Sequence, residues 1–110
     1  MTETEFLALA DRTLTRIETA LENAVNETDL DIECSRSGNV LEIEFVDNGS
    51  KVIVNSQAAM HEIWVAARSG GFHYRYVDGS WINTRDKTEL FAALSNIASE
   101  QSGIPLQLSA

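Results

Sequence analysis

The chain has 110 residues, 44% of them apolar, with eight Lys and Arg against seventeen Asp and Glu for a net charge of −9. That balance excludes nucleic acid as the expected partner, because phosphate binding needs clustered Lys and Arg, and the apolar share is too high for a disordered acidic tail. No apolar run approaches the roughly 18 residues of a membrane span, and the one cysteine, Cys34, excludes an intramolecular disulfide.

One domain over residues 1–110 is therefore expected, soluble and cytoplasmic, with no membrane partner. Residues 1–5 carry neither a basic nor an apolar leader segment. The charge is uneven. Residues 1–47 hold twelve acids and three bases, whereas residues 48–110 hold five of each. The densest stretch, residues 18–33, carries Glu18, Glu22, Glu27, Asp29, Asp31 and Glu33, with Arg16 and Arg36 only at its borders.

In chain order, Phe6, Leu9, Ala10, Leu14, Ile17, Leu21 and Val25 recur at three- and four-residue spacing and predict an amphipathic helix. Asp11, Glu18 and Glu22 fall on its wet side. From Asp29 the period changes to two: Leu30, Ile32 and Cys34 alternate with Asp29, Asp31 and Glu33, as in a half-buried strand. Ser37-Gly38-Asn39 predicts a turn, and Leu41, Ile43 and Phe45 a second strand. Asp47-Asn48-Gly49 predicts a tight turn into a third strand over residues 51–55.

Strands over residues 62–67 and 72–77 follow, separated by Ser69-Gly70-Gly71, then a short strand around Trp81 and Ile82. The last helix is expected to open with a capping box, Asp86 at the cap and Glu89 three residues on. Leu90, Phe91, Leu94, Ile97 and Ala98 supply its buried stripe, Gly103 closes it, and a tail over residues 104–108 packs its apolar residues across the helices. The predicted class is α+β: a two-layer sandwich, with two terminal helices on one face of an antiparallel sheet of about six strands.

Nucleophilic catalysis finds little support. Cys34 points inward with Leu30 and Ile32, and a reactive thiol needs an exposed electropositive setting. His61 and His73 fall on different predicted strands, with His73 toward the open side of the sheet. The acidic stretch has positive content, since carboxylates are hard oxygen donors suited to Mg²⁺, Ca²⁺, Mn²⁺ and iron. Spread over a helix and a strand, they form no cage, so sites there should be weak, wet and multiple; the alternative is a solvated charged face. Asn55, Gln57, Trp64 and Trp81 are expected on or near the uncovered sheet face, an uncharged aromatic composition typical of protein-binding surfaces. The alternative for Trp64 is a core ring packed under a loop.

The run from Asn55-Ser56-Gln57 through Ile63-Trp64 to Gly70-Gly71-Phe72-His73-Tyr74 and Trp81 resembles the core motif of the frataxin family in its bacterial, CyaY-type form. The opening Glu5-Phe6 with Leu9-Ala10-Asp11, and the acidic stretch over residues 29–33, match as well. The resemblance implies two helices on one face of an antiparallel sheet. It also implies weak binding of iron, Fe²⁺ or Fe³⁺, on surface carboxylates where other divalent cations can substitute. The role implied is in iron–sulfur cluster assembly, as iron donor or sensor and as regulator of the cysteine desulfurase and its scaffold protein. The implied metal residues are Glu18, Glu22, Asp29, Asp31 and Glu33, with Glu27 adjacent. The implied partner-binding residues are Asn55, Gln57 and Trp64, joined by His73 and Trp81 on the same face. Thr19, Asn23 and Val25 stand where bacterial relatives often carry acids, and Ala59 replaces a common proline. Such a protein is a binder rather than an enzyme, weak ferroxidase-like activity aside. A monomer is expected, with iron-promoted oligomers as the alternative, and nothing in the residue pattern itself speaks to oligomerisation. The rival reading is an acidic protein-docking module whose metal binding is incidental.

Overall fold

The computed structural model describes residues 1–109. The order is α1 (Glu3–Glu27), β1 (Ile32–Ser37), β2 (Val40–Phe45), β3 (Ser50–Gln57), a 3₁₀ turn (Ala58–Met60), β4 (Glu62–Ala67), β5 (Gly70–Val77), β6 (Ser80–Asn83) and α2 (Leu90–Ser102). The six strands form one antiparallel meander in sequence order. Both helices pack on one face, as the alternation predicts.

Thr2 and Glu5 start α1 with a reciprocal capping box, which satisfies two amides that the first turn leaves free. Its apolar stripe buries Phe6, Ala10, Leu14, Ile17 and Leu21 against Leu41, Val52, Val54, Ile63, Val65 and Tyr74 of the sheet. Leu90, Leu94 and Ile97 of α2 close the same core. Cross-strand partners fix the opposite face: Ser37, Val40, Asn55, Trp64 and His73 lie in one row, and Gln57, Glu62, Arg75 and Ile82 in the next. Among the described residues no helix covers this second face, so period-two alternation sends polar side chains there.

Several expectations are corrected. Asp86 does not cap α2. Lys87 takes a left-handed φ of 68°, which a helix starting at Asp86 could not contain, and Glu89 caps instead through the amides of Phe91 and Ala92. Asp86 accepts from the Thr88 amide and shapes the turn. Ser69-Gly70-Gly71 is not the whole turn: Ala67 pairs with Gly70, so Arg68-Ser69 turns the chain and both glycines enter β5. His61 is not on a strand; it sits at φ 51° after the 3₁₀ turn and stacks on Phe6 at 5.0 Å. In the tail Ile104 is exposed while Leu106 and Leu108 are buried. Their amides donate at 2.8 Å to the hydroxyls of Ser99 and Ser95, one helical turn apart on α2.

The largest correction concerns Trp81. It lies on the covered face, 4% exposed, edge-on to Phe6 and Tyr76. Its indole N–H donates to Thr13 Oγ1 of α1 at 2.9 Å. Trp81 is therefore a core residue, and the partner-binding surface expected to include it loses it. Trp81→Phe should keep most of the burial and cost about 1 kcal/mol, one neutral hydrogen bond, whereas Trp81→Ala should cost about 3–5 kcal/mol. Urea unfolding of both variants checks this; wild-type stability for Trp81→Ala would contradict the core assignment.

Candidate functional site

The six acids of residues 18–33 are spread over α1, the connection after it and β1. Glu18 and Glu22 stand on α1, Glu27 ends it, and Asp29 and Asp31 lie in the connection, because β1 begins only at Ile32. The Asp31 carbonyl accepts from the Val46 amide, which leaves the side chain free at the sheet edge. Glu33 is directly opposite Glu44 in the ladder and so looks out from the uncovered face, away from α1. The carboxylates thus wrap around the β1 edge. Among the described residues no three His, Cys, Asp or Glu side chains are grouped to hold one ion.

Arg36, predicted only as a border of the acidic stretch, reaches from β1 to α1. It pairs with Asp11, lies 3.4 Å from Glu18 Oε1, and donates to Thr15 Oγ1 at 3.2 Å and to the Gly38 carbonyl at 3.1 Å. Glu18 is half-buried beneath it, whereas Glu22, Glu27, Asp29, Asp31 and Glu33 are exposed and make no salt bridge among the described residues. Cys34 is half-buried under the same acids. Burial, then the charges of Glu18 and Glu22, push its thiol up to about 11, so it is inert rather than nucleophilic.

The uncovered face carries a second constellation, centred on a residue that sequence reasoning missed. Glu62 is 3% exposed although no helix covers it. Trp64 Nε1–H donates to its Oε1 and Arg75 Nε–H to its Oε2, each at 2.8 Å. His73 Nδ1 lies 3.5 Å from Oε1. The Trp64 and His73 rings stack at 4.3 Å between centroids, 6° from parallel. Burial alone would raise the Glu62 pKa. The hydrogen bonds from Trp64 and Arg75 and the Arg75 charge outweigh it and hold the carboxyl below its ordinary value. Asn55 is opposite Trp64 in the ladder, and Gln57 is opposite Glu62. Asn55, Gln57, Trp64 and His73 are therefore brought together, and Trp64 is not a core ring. The signal was present: Glu62 and Trp64 are two apart on one strand, and the hairpin register places Arg75 across from Glu62.

The comparisons agree with this architecture. A family model described as a Frataxin-like domain matches residues 1–104. The iron-sulfur cluster assembly protein CyaY of Janthinobacterium sp. (strain Marseille) is 64% identical over 108 residues, covering 98% of this chain and 96% of the relative. That of Herminiimonas arsenicoxydans is 62% identical with the same coverage. Among solved structures, frataxin from Psychromonas ingrahamii superposes with a TM-score of 0.83 at 31% identity, covering all of both chains. The trimeric frataxin of Saccharomyces cerevisiae complexed with ferrous iron gives 0.71 at 25%, covering 86% of this chain and 85% of the other. With two helices on one face of a six-stranded meander, and with relatives matching along nearly its whole length, the chain belongs to the frataxin-like domain family.

Proposed function

We propose that the protein acts in the cytoplasm in iron–sulfur cluster assembly, binding iron weakly on Glu18, Glu22, Glu27, Asp29, Asp31 and Glu33 and regulating the cysteine desulfurase–scaffold complex. The observation that carries the proposal is the separation of two surfaces. Exposed carboxylates wrap one edge of the sheet, and an ordered Trp64–His73 pair with Asn55, Gln57 and Arg75 occupies the middle of the uncovered face. Hard oxygen donors at an open edge suit iron held as exchangeable cargo rather than a resident cofactor. An aromatic ring beside uncharged amides suits recognition of a protein.

The rival reading, an acidic docking module with incidental metal binding, draws on Arg36. It already engages Asp11 and Glu18, so part of the acidic edge is neutralised from within. In that reading the edge meets a basic groove on the desulfurase, and iron only modulates the contact.

Replacing Glu18, Glu22, Asp29, Asp31 and Glu33 by their amides should abolish most Fe²⁺ binding in calorimetric titration and leave the fold intact by circular dichroism. The same variant should bind the desulfurase with a slower association rate and a flatter salt dependence. Trp64→Ala should leave Fe²⁺ affinity unchanged and speed dissociation, a loss on the order of 2 kcal/mol. Wild-type iron binding by the amide variant would end the proposal. Loss of iron binding with unchanged assembly activity would favour the docking module.

Cys34 provides a reporter for cations at the edge. A thiol at about 11 should alkylate at pH 8 on the order of a hundredfold more slowly than an unperturbed cysteine, since the thiolate reacts. Glu18 and Glu22 help hold that pKa up. Neutralising them, by Glu→Gln substitution or by saturating Mn²⁺, should therefore lower it and accelerate iodoacetamide labelling at fixed pH. Acceleration by the substitutions but not by Mn²⁺ would mean that cations bind elsewhere.

A further inference from the structure

Among the described residues Glu62 is the one acid that the fold buries, and it does so on the face open to water. Burying a carboxylate costs desolvation that only good pairing offsets. An exposed neutral side chain at this end of β4 would avoid that cost, so core packing does not account for the acid. Its consequence lies in its cover. The indole of Trp64 is anchored through Nε1 to Oε1, and that anchor sets the ring plane on which His73 stacks. Arg75 is anchored through Nε to the other oxygen and keeps its side chain 59% exposed. One carboxylate thus fixes three groups that a partner would meet, while it is itself too enclosed to touch the partner.

We infer that Glu62 is a positioning residue, holding Trp64 against His73 in the orientation that the desulfurase–scaffold complex binds. The inference rests on the reading that this face docks that complex. Its physical basis is preorganisation. An aromatic anchor fixed before association loses less side-chain freedom on binding. Without Glu62 the indole N–H has no protein acceptor, the ring is released from His73, and the same contacts form only after reordering.

The test uses the full chain. Binding kinetics to purified desulfurase–scaffold complex are measured for Glu62→Ala, Glu62→Gln, Trp64→Phe and Trp64→Ala. Hydrogen exchange of the two indole N–H groups is followed by NMR. Trp81, bonded to Thr13 in the core, is the internal control. In Glu62→Ala, exchange at Trp64 should accelerate at least about tenfold with Trp81 unchanged, and affinity should fall about tenfold, mainly through faster dissociation. Glu62→Gln retains an oxygen acceptor for the indole and should recover most of both, which a purely structural role of the charge would not give. Trp64→Phe keeps a ring but deletes the N–H through which Glu62 acts, so it should lose affinity as Glu62→Ala does. Full affinity in Trp64→Phe overturns the inference even where Glu62→Ala fails to fold. Full affinity in Glu62→Ala with weakened Trp64→Ala overturns the inference and leaves the docking face standing. Full affinity in Trp64→Ala removes the docking face itself.

Discussion

One constraint organises the molecule: a six-stranded sheet with both helices on the same face. Because successive strand residues point to opposite sides, every core residue in the sheet has neighbours that must face water or a partner. Ile63 and Val65 bury against the helices, and Glu62, Trp64 and Ala66 are thereby sent to the other side. Register does the rest. The β3–β4 and β4–β5 pairings carry Asn55, Trp64 and His73 into one row and Gln57, Glu62 and Arg75 into the next. The polar and aromatic make-up of the uncovered face is thus a by-product of core formation, and a one-residue slip of β4 would destroy both at once.

The protein treats its carboxylates in two opposite ways. Around the β1 edge they are left exposed and mostly unpaired, so their mutual repulsion is tolerated at a cost that solvent and salt keep small. At Glu62 the carboxylate is enclosed, and its charge is met by two hydrogen bonds and the Arg75 guanidinium. The first arrangement suits groups that exchange ligands with solvent. The second suits a group whose task is to hold neighbours still, since breaking one contact leaves a buried charge uncompensated.

The strand meander, the two helices and their core stripes were legible in the sequence because apolar residues recur with clear periods over 25 residues in α1 and over most strands. Asn55, Gln57, Trp64 and His73 were legible on the open face for the same reason. Trp81 was not. A four-residue strand offers too few alternations to fix its phase, and either Trp81 or Ile82 could have been the inward residue. The start of α2 was misread because the Asp86–Glu89 spacing fits a capping box, while the left-handed Lys87 that forbids it leaves no mark in the residue pattern. Asp29 and Asp31 continue the alternation of β1 without belonging to it, since the β1–β2 ladder starts at Ile32 opposite Phe45 and only the Asp31 carbonyl, bonded to the Val46 amide, reaches past it. Arg36 and Glu62 act through contacts set by tertiary approach or register, and local periodicity carries no information about which charge meets which.

Arg36 also bears on how the acidic edge is divided. It is the internal cation of that edge, joining β1 to α1 through residues 25 and 18 positions apart in the chain. Partly exposed ion pairs of this kind contribute roughly 0–1 kcal/mol, so the arginine ties the edge strand down without committing Glu18 irreversibly. A divalent ion approaching Glu18 competes with a guanidinium already in place. The same ion approaching Glu22, Asp29, Asp31 or Glu33 meets no such competitor among the described residues. If the acidic edge binds iron as proposed, occupancy should therefore build first on the connection and the outer turn of α1. It should spread to Glu18 only when the local cation concentration is high enough to displace Arg36. On that ordering, weak iron binding would leave the α1–β1 clamp intact, and saturation would begin to release it.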